Sequence, residues 1–329
     1  MSSKIEIHSC PGTLAKGFDT YSSTALKRVF GGKKVYHVLD YDSPNSRPDV
    51  IRLFDENRRN ISISGVQEKF SVVLDKNKIR LANKEERGTH ILKPIPQIGI
   101  KREQMPANEH LTMQIARQVY QINTAENALI FFKDGSPGFI TKRFDQDSQG
   151  NKLAQEDFAS LTNRTPQKDG EHYKYLGNYL ELFEYMRDYL PIYQVEALKL
   201  YKVLIFNYLF SNGDAHLKNF SLLETKMGDL SLSPSYDLLN SRIHIDDNDF
   251  ALEDGLLPRA INHGKIQRKF FLLAEKAGIK QNLAEAIMTL MITQTTQVKS
   301  LITRSYLDEK TKKSYLQQYQ KRWNRLMKR

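Results

Sequence analysis

The sequence predicts a two-part α+β protein, a β-rich unit over residues 1–145 followed by a mostly α-helical unit over residues 146–329. Three observations carry that expectation. In the first unit apolar and polar residues alternate with period two, most plainly over residues 58–75 (RRNISISGVQEKFSVVLD), around the single glycine Gly65. From Gln155 onward the period lengthens to that of amphipathic helices. Early in the second unit, within residues 207–223 (NYLFSNGDAHLKNFSLL), a polar knot of Asp214, His216, Lys218 and Asn219 lies between an aromatic helix end and a short apolar run. Loops held between buried elements have fixed geometry and carry function more often than the elements themselves.

The elements follow in order. The run Ser22-Ser23-Thr24 is placed to cap a short helix through Ala25, Leu26, Val29 and Phe30, which Gly31 and Gly32 end. Residues 58–75 read as a hairpin, and a turn at 75–77 leads to a further strand at 79–81. THILK, residues 89–93, is a strand stopped by Pro94. Asn108 is read as the cap of a helix carrying Leu111, Ile115 and Val119 on one face, with Glu109 in its first turn. Residues 124–133 and 138–144 make two more strands. In the second unit, helices are expected over 173–190 and 192–210, with Pro191 at the first position of the latter. After the knot come short strands and the segment SPSYDLL (233–239), then helices over 269–277, 283–300 and 308–327.

Composition removes several classes of function. No apolar run approaches the ~18 residues of a membrane span, and the start, MSSKIEIHSC, lacks a secretory pattern. A single cysteine, Cys10, excludes an internal disulfide framework and a cysteine metal cage, and fits the cytoplasm. The net charge of +11 is unevenly placed. From Pro258 onward 16 Lys/Arg face 4 Asp/Glu, whereas the preceding 257 residues hold 33 basic and 34 acidic. Such asymmetry points either to a nucleic acid or acidic partner or to a solvated helical face.

The spacing from Asp214 to Asn219, Asp-x-x-x-x-Asn, suits phosphoryl transfer: a carboxylate that orients a hydroxyl, then an amide oxygen that holds Mg²⁺. A second metal carboxylate is expected after a short strand pair, where Asp237 stands among Tyr236, Leu238 and Leu239. Lys93, at a strand end, is placed to reach phosphate oxygens, with Glu109 as its ion-pair partner. The hairpin from Ser62 to Lys69 offers Gly65 and neighbouring N–H groups as a phosphate cover, with one glycine where protein kinases have three. Backbone groups of Lys142, Arg143 and Phe144 are candidates to read adenine. A β-rich lobe, an α-rich lobe and these parts in this order are the layout of a bilobal protein-kinase-like fold.

SISGVQEKFSVVLD, HILKP, NEHLTMQIAR, KRFD, QEDFASLT, FNYLFSNGDAHLKNFSLL and LSPSYDLL together resemble the HipA family of bacterial serine/threonine kinases, the toxin halves of toxin–antitoxin systems. The N-terminal 57 residues are shorter than the extra subdomain of full-length members. SSTALKRVF is more similar to the compact HipT branch, whose missing N-terminal piece is a separate small protein. The resemblance implies ATP and Mg²⁺ as cofactors, Asp214 as catalytic aspartate, Asn219 and Asp237 on the metal, and Lys93 on the ATP phosphates. It further implies Ser64, Gly65, Val66, Gln67, Glu68 and Lys69 as the loop over those phosphates, with His216 beside the nucleotide and 142–144 as hinge. Family members are silenced by autophosphorylation of a loop serine, here Ser62 or Ser64. A phosphoserine brings about −1.5 to −2 charge at pH 7, which would repel ATP phosphates. The implied substrate is an aminoacyl-tRNA synthetase, tryptophanyl or glutamyl, and the implied partners are antitoxins, one a DNA-binding repressor.

The departures from ordinary protein kinases are plain: no His-Arg precedes Asp214, and no Phe-Gly follows Asp237. GDAHLKN also resembles the loop of aminoglycoside and choline kinases, the first rival reading. The basic C-terminal quarter supports a second, a non-catalytic nucleic-acid-binding scaffold. A hydrolase with metal on Asp214 and His216 is a third, and two ligands do not complete such a site.

Overall fold

In a computed structural model of the protein, residues 7–44, 68–83, 85–147 and 149–328 are described. The chain forms two compact units. The first comprises residues 1–114, 125–144 and 300–312, the second 115–124, 145–299 and 313–329.

The first unit is built on a five-stranded antiparallel sheet of order β2-β1-β3-β5-β4. Its strands are β1 (Phe70–Asp75), β2 (Lys78–Leu81), β3 (His90–Lys93), β4 (Asn127–Phe131) and β5 (Pro137–Lys142). Helix α1 (Ser23–Phe30) starts where the Ser22 hydroxyl accepts the Ala25 N–H, and ends at Gly31 with φ of 61°. Its buried face, Ala25, Val29 and Phe30, joins Phe70, Val72, Leu92, Ile130 and Ile140 in one apolar core. Each of these side chains larger than alanine contributes about 1.5–3 kcal/mol by leaving water. The N-terminal segment protects the outer edge of β4: the Phe131 N–H donates to His37 O and the Leu39 N–H to Phe131 O.

Helix α2 spans Met105–Gln118, three residues earlier than its expected start. Pro106 sits in the first turn, where a missing N–H costs nothing. Asn108 is therefore inside the helix and fully buried, and Glu109 lies in the second turn.

In the second unit, the expected helix over 173–190 is broken by Gly177, at φ of 83°. A 3₁₀ turn (Tyr173–Tyr175) and helix α3 (Leu180–Tyr189) take its place. Asn178 Oδ1 accepts the Leu180 N–H and Glu181 Oε1 accepts the Asn178 N–H, a reciprocal pair that starts α3. Helix α4 (Tyr193–Leu209) begins after Pro191 rather than with it. It is apolar nearly all round and correspondingly buried, with Phe206 and Phe210 stacked at 4.4 Å. The unit also contains a sheet of order β6-β7-β8, formed by β6 (Gln155–Asp157), β7 (Ser221–Glu224) and β8 (Leu230–Leu232). β6 had no counterpart in the expected organisation, because three residues are too few to show a period.

Helix α5 is Ile266–Lys276, and the single helix expected over 283–300 is two, α6 (Gln281–Thr293) and α7 (Thr295–Arg304). β-branched threonines flank Gln294, and the Thr293 hydroxyl donates back to Thr289 O; both weaken helix continuity. The last helix, α8 (Glu309–Met327), is fixed in the second unit by Trp323, whose Nε1–H donates to Ile292 O at 2.8 Å.

Candidate active site

The polar knot begins where α4 ends. Ser211 turns the chain with φ of 55°, and the Asn212 N–H closes on Asn207 O at 2.9 Å. The Gly213 N–H donates to Ser241 Oγ at 2.8 Å, and the same hydroxyl lies against the Asp247 carboxylate. A Cβ on Gly213 would stand 2.5 Å from Asn248 O, so only glycine fits without moving the backbone. Gly213→Ala is expected to destabilise the protein by about 1–3 kcal/mol, read by denaturant unfolding.

Asp214 follows. Its Oδ1 accepts the Tyr175 hydroxyl proton at 2.9 Å. Burial pushes the Asp214 carboxyl above the ordinary carboxylate range; the Tyr175 hydrogen bond and Lys174 pull it down, and Asp247 and Asp237 push it up. Its carbonyl and Asn219 Oδ1 share the His216 N–H, at 2.8 and 3.1 Å. That bond fixes the Asn219 amide, and its oxygen keeps a second lone pair. The 3₁₀ turn Leu217–Asn219 thus places Asp214 and Asn219 on one rigid loop.

Three tyrosine hydroxyls secure this loop. Besides Tyr175, Tyr179 donates to Ala215 O at 2.7 Å and Tyr236 donates to Lys218 O at 2.9 Å. Lys218 is tied to Asp157 at 2.9 Å in a partly exposed ion pair. Tyr236 leads directly to Asp237, which is half-buried and held at φ of 55°. A non-glycine residue in the left-handed region costs of order 1 kcal/mol. Asp214 lines an open pocket of about 590 Å³, with Tyr175, His172, Gly213 and Asp247 among its other walls.

In the first unit, Lys93 ends β3 and is buried. Its Nζ stands 2.6 Å from Glu109 Oε1 and 5.5 Å from the Phe139 ring centroid. Both partners of the ion pair are almost inaccessible, with side-chain exposures of 5 % and 1 %. Glu68 and Lys69, both partly exposed, immediately precede β1. Ser62, Ser64, Gly65, Val66 and Gln67 lie outside the described residues. At 142–144, the Lys142 N–H donates to Glu126 O and the Arg143 N–H to Thr89 O. Two of the three N–H groups considered for adenine are therefore engaged within the unit.

Tyr175, Tyr179 and Ser241 carry no distinguishing pattern in the sequence. The acidic run at 246–249 was the one available signal for Asp247. The basic C-terminal quarter has an internal duty as well: Arg322 and Arg325 of α8 both pair with Asp249, and Arg322 lies over the Tyr208 ring at 4.7 Å. Arg322 is buried, so its charge serves packing rather than a solvated face.

Comparison with known proteins decides the family. The model of the HipA-like C-terminal domain matches residues 61–299, well over half of the chain. The chain belongs to the HipA-like family. Similar sequences include a candidate kinase of Haemophilus influenzae, 27 % identical over 203 residues, covering 60 % of this chain and 57 % of the relative. The candidate kinase Y4mE of Sinorhizobium fredii is 30 % identical over 191 residues, covering 55 % of this chain and 42 % of that relative. The chain thus spans about half the length of the curated relatives it matches. Among solved structures it resembles HipA of Shewanella oneidensis MR-1, determined with HipB and operator DNA: TM-score 0.62, 18 % identity, 87 % of this chain and 73 % of that one. It also resembles the Helicobacter pylori proinflammatory kinase CtkA: TM-score 0.51, 13 % identity, 77 % and 92 %. At these identities the likeness shows the fold, which is protein-kinase-like and α+β. Among the described residues no helix is long and apolar enough to cross a membrane.

Proposed function

We propose that this HipA-like chain is an ATP- and Mg²⁺-dependent protein serine/threonine kinase acting as the toxin of a toxin–antitoxin pair. The observation that carries the reading is Asp214: a carboxylate on a rigid loop at an open pocket, with one oxygen held by Tyr175 and the other available to a substrate hydroxyl. In the reaction, Asp214 orients the serine hydroxyl and accepts its proton as the oxygen bonds to the γ-phosphorus and the bond to ADP breaks. Lys93 steadies the ATP phosphates. Asn219 Oδ1 and the Asp237 carboxylate are hard oxygen donors of the kind Mg²⁺ takes, and they would hold it. Bound there, Mg²⁺ would neutralise charge on the transferred phosphoryl group.

The acceptor in this reading is a serine of tryptophanyl- or glutamyl-tRNA synthetase, so translation stops in the cytoplasm. Self-phosphorylation at Ser62 or Ser64 ends the activity, and His216, 64–69 and 142–144 contribute to nucleotide binding. The Shewanella relative was solved with HipB and DNA, which supports a DNA-binding antitoxin here. A separate small protein, as in the compact HipT branch, is a further proposed partner. Basic residues of the C-terminal quarter would add DNA or tRNA contact, and such binding should weaken steeply with salt.

The direct test supplies γ-labelled ATP, Mg²⁺ and each purified synthetase. Label on a serine of one synthetase, absent with Asp214→Asn, is the expected result. Transfer to choline or an aminoglycoside with none to any synthetase would replace this reading with the small-molecule one. In the same assay Tyr175→Phe removes a bond that favours the ionised Asp214. The acid limb of its pH–rate profile should therefore move to higher pH, a displacement that mere loosening of the loop would not produce.

A further inference from the structure

The second unit holds another cavity, of about 290 Å³, which shares no lining residue with the pocket at Asp214. Its volume is at the small end of ligand pockets, about 300–1,000 Å³. Helix α4 contributes Lys199 and Lys202, the turn after α2 contributes Gln121 and Asn123, and Ser233 and Ser235 follow β8. Ile122, Leu198, Leu232 and Ile287 supply apolar surface, and Val195, about half exposed at 52 %, is part of the lining.

The two lysines differ in their charge balance. Lys199 Nζ is bonded at 2.6 Å to Glu196, whose other oxygen accepts the Leu232 N–H at 3.1 Å. Lys202 is half-buried and has no ion-pair partner among the described residues; burial pushes its pKa down, as expected of a desolvated ammonium lacking a counter-charge. None of the residues lining the cavity is acidic. Gln121 adds a strained backbone at the cavity, with φ of 52°.

We propose that this cavity binds a small anion with an apolar body, a carboxylate or a phosphomonoester, whose charge pairs with Lys202. The anion supplies the counter-charge that Lys202 lacks, and the Ser235 hydroxyl and the side-chain amides of Gln121 and Asn123 can donate to its oxygens. The apolar body is favoured by leaving water for the cavity's apolar wall. The ligand would also touch the segment leading to Asp237: the Ser235 N–H donates to Asn123 O at 2.8 Å, two residues before that carboxylate. Any influence on phosphate transfer through this contact rests on the kinase reading; binding itself does not.

Calorimetric titration without ATP tests the site with three probes: 3-phenylpropionate, phenyl phosphate and the neutral 3-phenylpropionamide. One or both anions should bind the wild type, and the stronger of the two identifies the anionic group. Affinity should fall at least tenfold in Lys202→Met, and the amide should bind at least tenfold more weakly than the acid. Ile287→Trp, which fills the cavity from its apolar side and leaves the charge alone, should also abolish binding. Failure of both anions to bind the folded wild type overturns the proposal. So does equal binding by acid and amide, or undiminished binding in Lys202→Met. Because ATP takes no part, these failures leave the kinase reading untouched.

Discussion

Asp214→Asn is expected to lower phosphate transfer by about 10²- to 10⁴-fold, the usual range for loss of a positioned general base, without unfolding the protein. The side chains are isosteric, so the Tyr175 hydroxyl can still donate to an oxygen at that position. The carboxylate itself carries a cost in the fold. A folded-state pKa raised mainly by burial means that Asp214 binds its proton more tightly folded than unfolded. Its contribution to stability is present at low pH and lost as pH rises through the folded value. At neutral pH the ionised group therefore opposes folding, and its neutral replacement should melt at the same temperature as the wild type or higher. Measuring transfer from γ-labelled ATP beside thermal unfolding separates catalysis from stability. Transfer within tenfold of wild type would remove Asp214 from the proposed role.

Lys93→Met is expected to do the opposite to stability. It leaves Glu109 buried without the cation 2.6 Å away, and removing one partner of a buried pair costs about 3–5 kcal/mol. Adding Glu109→Leu to that variant replaces the buried charge with an apolar side chain of similar size. Most of the lost stability should return, because a buried ion pair and a packed apolar pair are often nearly equivalent. Phosphate transfer should not return in the double variant, since neither substitution restores the Lys93 ammonium proposed to hold the ATP phosphates. Urea unfolding and labelled-ATP transfer on the three proteins read both outcomes. Recovery of transfer in the double variant would show that Lys93 serves packing only.

Hydrophobic period is a local property, and what depends on it was legible in the sequence. Alternation marked the described strands of the first unit, and the Ser22-Ser23-Thr24 run and the Gly31-Gly32 pair marked the two ends of α1. Where local signals competed, the sequence misled: Pro106 starts α2 ahead of Asn108, and Gly177 and Gln294 divide helices whose apolar pattern runs on unbroken. The spacing from Asp214 to Asn219 was visible because both lie on one loop.

What holds that loop was not visible. Tyr175 meets Asp214 across 39 residues, and Tyr179 meets Ala215 across 36. A hydroxyl that donates to a distant oxygen leaves no periodic trace, and these tyrosines read as ordinary core residues. The need for glycine at 213 follows from Asn248 and Asp247, more than thirty residues downstream. The same holds for Arg322, which counted with a basic tail in the sequence and is buried against Asp249 and Tyr208 in the fold. By itself the sequence determined the two-part α+β order and the polar residues of the loop, because both are written in local pattern. Tertiary structure alone decided which hydroxyls, carboxylates and cations surround Asp214, because those neighbours meet only when distant segments pack.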